Sequence, residues 1–159
     1  MDKRAYVPAD SRVRSFIRII LEKQFDPEIA IIVSGISDLN VEFSRRTGRI
    51  KNVYVGGERL LTLRANDGWF TITPLFAEII ISNAESPRFR VVAEDDLELK
   101  GSLLAPGVLG CDPNIRPGDE VVIVNSRDRL IGVGRARLSC IAMKNVLRGE
   151  AVRVRWSTR

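Results

Sequence analysis

Histidine is absent from this 159-residue sequence. The side chain that most often exchanges protons near neutral pH is therefore missing, and acid–base chemistry would fall to carboxylates, lysine or tyrosine. Cysteine is nearly absent: Cys111 and Cys140 stand far apart with no partner at ligand spacing, which excludes a recognisable zinc signature. Each reads as a small buried hydrophobe; a disulfide inside a cell would point to a hyperthermophile. No glycine-rich phosphate loop leading into Lys-Ser or Lys-Thr is present. The longest apolar runs, "IAIIVSGI" and "FAEIII", fall far short of the roughly twenty residues of a membrane helix. The opening "MDKRAYVPAD" has no apolar signal core. These absences together predict a cytoplasmic protein that is not an enzyme and holds no metal or cofactor.

What is present describes a folded domain. The composition is 45% hydrophobic and 28% charged with a formal charge of +5, which fits a soluble globular chain and favours polyanionic partners. A chain of this length buries on the order of 70% of the surface its unfolded form exposes, enough for a core without staples.

Two units follow from the patterning. Val13, Phe16, Ile17, Ile20 and Leu21 recur at helical spacing, predicting an amphipathic helix over 11–24 with Asp10 or Ser11 as N-cap. Its other face carries Arg12, Arg14, Arg18 and Lys23, and Asp26-Pro27 closes it. "IAIIV" reads as a buried strand and "NVEF" as a short one. "IKNVYV" and "ERLLTLR" form a hairpin about Gly56-Gly57, whose residues take positive φ without steric cost. Asn66-Asp67-Gly68 turns the chain into "WFTIT", with Asp67 in an Asx-type turn, and a helix over 73–82 starts at Thr73-Pro74. A seam at "NAESPR", 83–88, precedes five short strands: "RFRVVA", "GSLLA", "EVVIVN", "LIGVGRARL" and "EAVRVRW". "EDDLEL" and "CIAMKNVL" leave room for helical turns. The expected fold is α+β: a small α+β domain, 1–84, then a β-barrel-like domain, 88–159.

The second unit resembles a family. "KGSLLAPGVLGCDPNIRPGDEVVIVNSRDRLIGVGRARLS" and "LRGEAVRVRW" are similar to the PUA domain, an RNA-binding module with a pseudobarrel fold. The Lys-Gly step, Pro-Gly-Val loop, Pro-Gly-Asp-Glu-Val turn, Val-Gly-Arg-Ala strand and Arg-Gly-x-Ala-Val strand occur in family order. Upstream, "FSRRTGRIKNVYVGGERLLTLRANDGWFTIT" with "PRFRVV" resembles the C2-like domain that precedes PUA in archaeal tRNA-guanine (archaeosine) transglycosylases. The catalytic barrel of those enzymes, with its aspartates and zinc-binding cysteines, has no counterpart here.

The resemblance implies a non-catalytic archaeal RNA-binding protein, holding a tRNA by its acceptor stem and 3′ end, as an accessory subunit or paralogue of the transglycosylase. An alternative is a translation-associated adaptor on the small ribosomal subunit or initiator tRNA, since a PUA unit behind a small α+β domain also resembles reinitiation factors. By resemblance the RNA surface comprises Lys100, Gly101, Ser102, Leu104, Pro106, Gly107 and Val108, with Arg135, Arg153 and Arg155 from the late strands. Arg153 and Arg155 alternate with Val152 and Val154, and Arg135 and Arg137 with Ala136 and Leu138, so each pair shares a strand face. Trp156 either stacks on an unpaired terminal base or packs at the barrel edge. Arg45, Arg46 and Arg49, around the Thr47-Gly48 turn, either meet phosphates or pack between domains. The acidic "AEDDLEL", expected as a short helix before Lys100, would repel phosphate unless it points away.

Overall fold

The computed structural model describes residues 6–158; the polar opening segment 1–5 lies outside them. The chain divides into two compact units, one up to Phe76 and the other from Ala77 on.

The first unit is an antiparallel meander behind two helices. Its strands run β1 (Tyr6–Pro8), β2 (Leu39–Phe43), β3 (Ile50–Val55), β4 (Glu58–Leu63) and β5 (Phe70–Ile72), adjacent in that order. Helix α1 (Ser11–Gln24) is capped by Asp10, whose carboxylate accepts from the Val13 amide at 2.9 Å. Ile17 and Leu21 are fully buried, but Phe16, which the spacing places on the same apolar face, is 46% exposed. Arg14 is not a free surface cation: its guanidinium donates to the carbonyls of Ala9, Ser34, Ile36 and Ser37 and ties down the loop after the next helix.

That next helix corrects the sequence reading. "IAIIV" is helical, within α2 (Pro27–Ser34), and Asp26-Pro27 starts this helix as well as ending α1. Asp26 accepts from the Ile29 amide at 2.7 Å and Pro27 occupies the first turn, where its missing N–H costs nothing. Capping and tertiary burial of Ile29, Ala30 and Val33 override the β preference of the run.

Two polar devices fix the meander. The Gln24 side chain donates to the Phe70 carbonyl at 2.7 Å and accepts from its amide at 2.8 Å, so α1 completes the β5 edge. Across β2, β3 and β4, Asn52 donates to Glu42 at 3.0 Å and accepts from Thr62 at 2.7 Å, along registered positions. A one-residue slip would break both bonds.

Helix α3 (Pro74–Asn83) leads into the second unit, whose six-stranded sheet has the order β7-β11-β10-β9-β6-β8. The strands are β6 (Arg90–Ala93), β7 (Ser102–Leu104), β8 (Val108–Cys111), β9 (Glu120–Val124), β10 (Leu130–Ala136) and β11 (Glu150–Ser157). The sheet curls into the half-barrel of a pseudobarrel. Among the described residues only the β6–β9 pair is parallel. Val91, Leu103, Val121, Ile123, Ala136 and Val152 supply its core.

Three expectations change here. "EDDLEL" forms a turn and an irregular stretch instead of a helix. The segment after Gly107 is strand β8. And the cysteines, buried as expected, are bonded to each other: Cys111 ends β8 and Cys140 opens α4 (Cys140–Asn145), which packs on that strand, with Cα atoms 5.7 Å apart.

Arg90 is the largest fully buried side chain among the described residues. Its guanidinium meets the Asp128 carboxylate at 2.6 and 3.1 Å and donates to the carbonyls of Arg88, Ala84 and Ile81. Asp128 reaches it from a left-handed turn position, φ 59°, which aspartate tolerates better than most residues.

Candidate RNA interface

Strand order decides whether the late arginines can act together. β10 and β11 are antiparallel neighbours, and Arg135 lies directly opposite Arg153. On the far side of β11, Arg153 is registered with Ser102 of β7; on the far side of β10, Arg135 is registered with Glu120 of β9. Registered residues project from the same sheet face. Glu120, Arg135, Arg153 and Ser102 therefore form one row across four strands.

Lys100 and Gly101 stand at the end of that row. Gly101 takes φ +77°, a conformation that disfavours side chains, and a Cβ placed there would meet nothing within 4 Å. Its carbonyl accepts from the Val154 amide at 2.9 Å, so the open backbone is pinned beside β11. The approach of β10 to β11 depends on a second glycine. A Cβ on Gly134, at the bulge, would lie 2.2 Å from the Arg153 carbonyl oxygen.

The row is not a bare cationic stripe. Glu150, at the start of β11, accepts from Arg153 at 2.9 Å and pairs with Arg137 at 3.7 Å, and its other oxygen accepts from the Ser102 hydroxyl. The hydrogen bonds from Ser102 and Arg153 hold its carboxyl below the ordinary glutamate range. Arg155 forks onto Glu120, whose side chain is fully buried. Arg135 donates to the Gly118 carbonyl at 3.2 Å. Lys100 is paired with Glu98 at 3.2 Å, with both groups largely in water. Such exposed pairs are worth little.

The other expected residues are spread more widely. Leu104 and Pro106 are exposed at the opposite end of β7, while Val108 packs against the core. The Gly107 carbonyl accepts from the Glu94 amide at 3.0 Å, which seats the acidic turn there. In that turn Asp95 is directed at the β9–β10 loop, where the Ser126 amide and hydroxyl donate to it at 2.9 and 2.8 Å and lower its pKa. Trp156 is 37% exposed on β11, opposite Val133. Arg45, Arg46 and Arg49 are exposed on the β2–β3 turn. Asp67 makes the expected Asx turn, accepting from the Trp69 amide at 3.0 Å.

Sequence reasoning missed the carboxylates that partner the arginines. Glu150 could have been suspected from its place three residues before Arg153; Glu120 only from strand order. Among the described residues no group of three or more His, Cys, Asp or Glu side chains could hold a metal ion, and no helix is long and apolar enough to cross a membrane.

Residues 92–157 match the PUA domain, and residues 15–87 match the patch-forming domain C2 of tRNA-guanine transglycosylase. The chain carries a C2 domain followed by a PUA domain. This C2–PUA chain is 40% identical over 121 residues to the tRNA-guanine(15) transglycosylase of Methanosphaera stadtmanae, a match covering 74% of the chain and 18% of that enzyme. It is 36% identical over 152 residues to that of Thermococcus onnurineus, covering 93% of the chain and 26% of the enzyme. The matches fall in the carboxy-terminal part of those enzymes. The C2–PUA chain thus spans about a fifth to a quarter of the length of these curated relatives. Two solved structures share its fold. A hypothetical protein from the hyperthermophilic archaeon Pyrococcus horikoshii superposes with TM-score 0.73 at 23% identity, covering 98% of this chain and 95% of that one. A conserved PUA domain protein from Thermoplasma acidophilum gives TM-score 0.65 at 20% identity, covering 97% and 94%.

Proposed function

We propose that the C2–PUA chain binds tRNA through its second unit, taking the acceptor stem and 3′ end, and performs no base exchange itself, serving a tRNA-modifying transglycosylase. The observation that carries this reading is the row from Arg135 through Arg153 to Ser102, ending at the open backbone of Gly101 and the exposed Lys100. Duplex RNA is recognised by phosphate and 2′-hydroxyl contacts and by shape, because its base edges lie in a narrow groove. A cation row with a closely approachable main chain suits that mode. The kinship with tRNA-guanine transglycosylases supports tRNA as the RNA.

The test is binding to total archaeal tRNA, intact and trimmed of its 3′ end, across a salt series. Salt-sensitive binding that weakens on trimming is expected, and Lys100→Ala should reduce the magnitude of the salt slope by about one. Absence of binding to either form defeats the reading and turns attention to ribosomal subunits. Base exchange by the isolated chain would refute its non-catalytic part.

A further inference from the structure

The β2–β3 turn opens onto a cleft of about 1340 Å³ within the first unit. The start of α1 contributes Arg12 and Phe16, one turn apart on the helix; the end of β2 and the turn contribute Phe43, Arg46 and Arg49; β3 contributes Lys51. Arg45 is not on the lining. The cleft exceeds the ~300–1,000 Å³ of drug-sized sites and is open to solvent, which suits a length of polymer better than an enclosed small molecule.

Its charge balance is one-sided. The lining has two aspartates, and both are engaged: Asp10 caps α1, and Asp67 accepts from Arg64 at 3.1 Å and from the Trp69 amide. Arg12, Arg46, Arg49 and Lys51 are exposed and pair with no carboxylate among the described residues. In the PUA row, by contrast, Arg137, Arg153 and Arg155 are held by Glu150 and Glu120. Two phenylalanines stand among the unneutralised cations, Phe16 46% and Phe43 40% exposed. The Thr47, Gly48 and Arg49 amides are occupied, by the Ser44 hydroxyl, the Ser44 carbonyl and the Thr47 hydroxyl, so an anion beside them is held chiefly by side chains.

We propose that this cleft binds an unpaired stretch of RNA, with phosphates on Arg12, Arg46, Arg49 and Lys51 and a base against Phe16 or Phe43. Free cations tracking a backbone beside aromatic faces are the recognition chemistry of single strands, since every base has a stackable face. An acidic peptide would use the cations and leave the rings in water. The proposal rests on the RNA reading above and adds a second contact surface to it, on the other unit.

The probe is an oligouridylate of about ten nucleotides, set against a blunt RNA duplex of the same length, with the full chain and its variants. Wild type should bind the single strand more tightly than the duplex. For single strands each neutralised phosphate contributes a salt slope of about 0.7, so Arg46→Ala with Arg49→Ala should lower that slope by about 1.4. Phe43→Leu should weaken the single strand about tenfold and leave the duplex unchanged. Unaltered thermal melts would show that both variants fold. Lys144→Ala, at an exposed cation of the other unit that belongs to neither surface, should leave oligouridylate binding as it was.

The outcomes separate the two claims. If the cleft variants bind oligouridylate like wild type while Lys100→Ala still weakens tRNA binding, the cleft assignment is wrong and the PUA reading stands. Equal losses on single strand and duplex overturn the base contact. Preference for polyglutamate over oligouridylate overturns RNA as the occupant.

Discussion

Replacing Arg90 by methionine should unfold the second unit more readily than any surface change. The guanidinium is completely buried and makes five hydrogen bonds, two to Asp128 and three to the carbonyls of Arg88, Ala84 and Ile81. Methionine keeps most of the stem's packing but donates to none of them. Asp128 is 35% exposed and regains water, so the lost ion pair is discounted. The carbonyls are the larger loss, at about 1 kcal/mol or more for each acceptor left unpaired, giving a destabilisation of about 3–5 kcal/mol. Urea unfolding in a Trp69→Phe background would be followed by Trp156 fluorescence, which reports the second unit. A loss below about 1 kcal/mol would refute the argument. Recovery of most of the stability by Arg90→Lys would also refute it, because an ammonium cannot span a fork that reaches both α3 and the β9–β10 loop.

Removing the disulfide by Cys111→Ser with Cys140→Ser should cost about 3–4 kcal/mol, because it frees a loop closed over a sequence separation of 29; a urea midpoint equal to that of the oxidised wild type would show that the loop entropy is not limiting. Glu150→Gln should tighten tRNA binding and steepen its salt slope, since Arg137 and Arg153 are released, whereas unchanged binding would place the phosphates elsewhere. Because the folded-state pKa of Glu150 is depressed, its stabilisation is full above the unfolded value near 4.5 and disappears as pH falls through the lower folded value. The wild-type advantage over Glu150→Gln should thus be constant near neutrality and shrink in acid, and an advantage independent of pH would contradict the assignment.

Much of the fold was legible where one signal acted alone. α1 begins and ends where its cap and periodicity place it, and the β3–β4 hairpin follows from Gly56-Gly57. Misreadings occurred where two signals competed. The β-branched "IAIIV" looked like a strand, yet Asp26 and Pro27 supply a cap and a first turn, and cap plus burial outweighed propensity. The Asp-rich turn before Lys100 looked helical, but Asp95 is drawn to Ser126, a partner distant in sequence. The same limit applies to the site. That Arg135 and Arg153 each share a face with a neighbour was readable from alternation. Their adjacency, and the carboxylates threaded between them, depend on strand order, which no local pattern encodes. Strand β8 and its disulfide were hidden for one reason: without the strand, nothing brings Cys111 near Cys140.

The parallel pairing of β6 with β9 governs how the second unit assembles. β6 is first of its sheet along the chain but interior in space, flanked by β9 and β8. During synthesis it emerges before any of its neighbours exist, and it stays unpaired on one side until residues 120–124 have been made. The row that carries Arg135 and Arg153 is made later still, on β10 and β11. The pairing of β7 with β11 then reaches further along the chain than any strand pairing of the first unit, and such non-local closure slows folding.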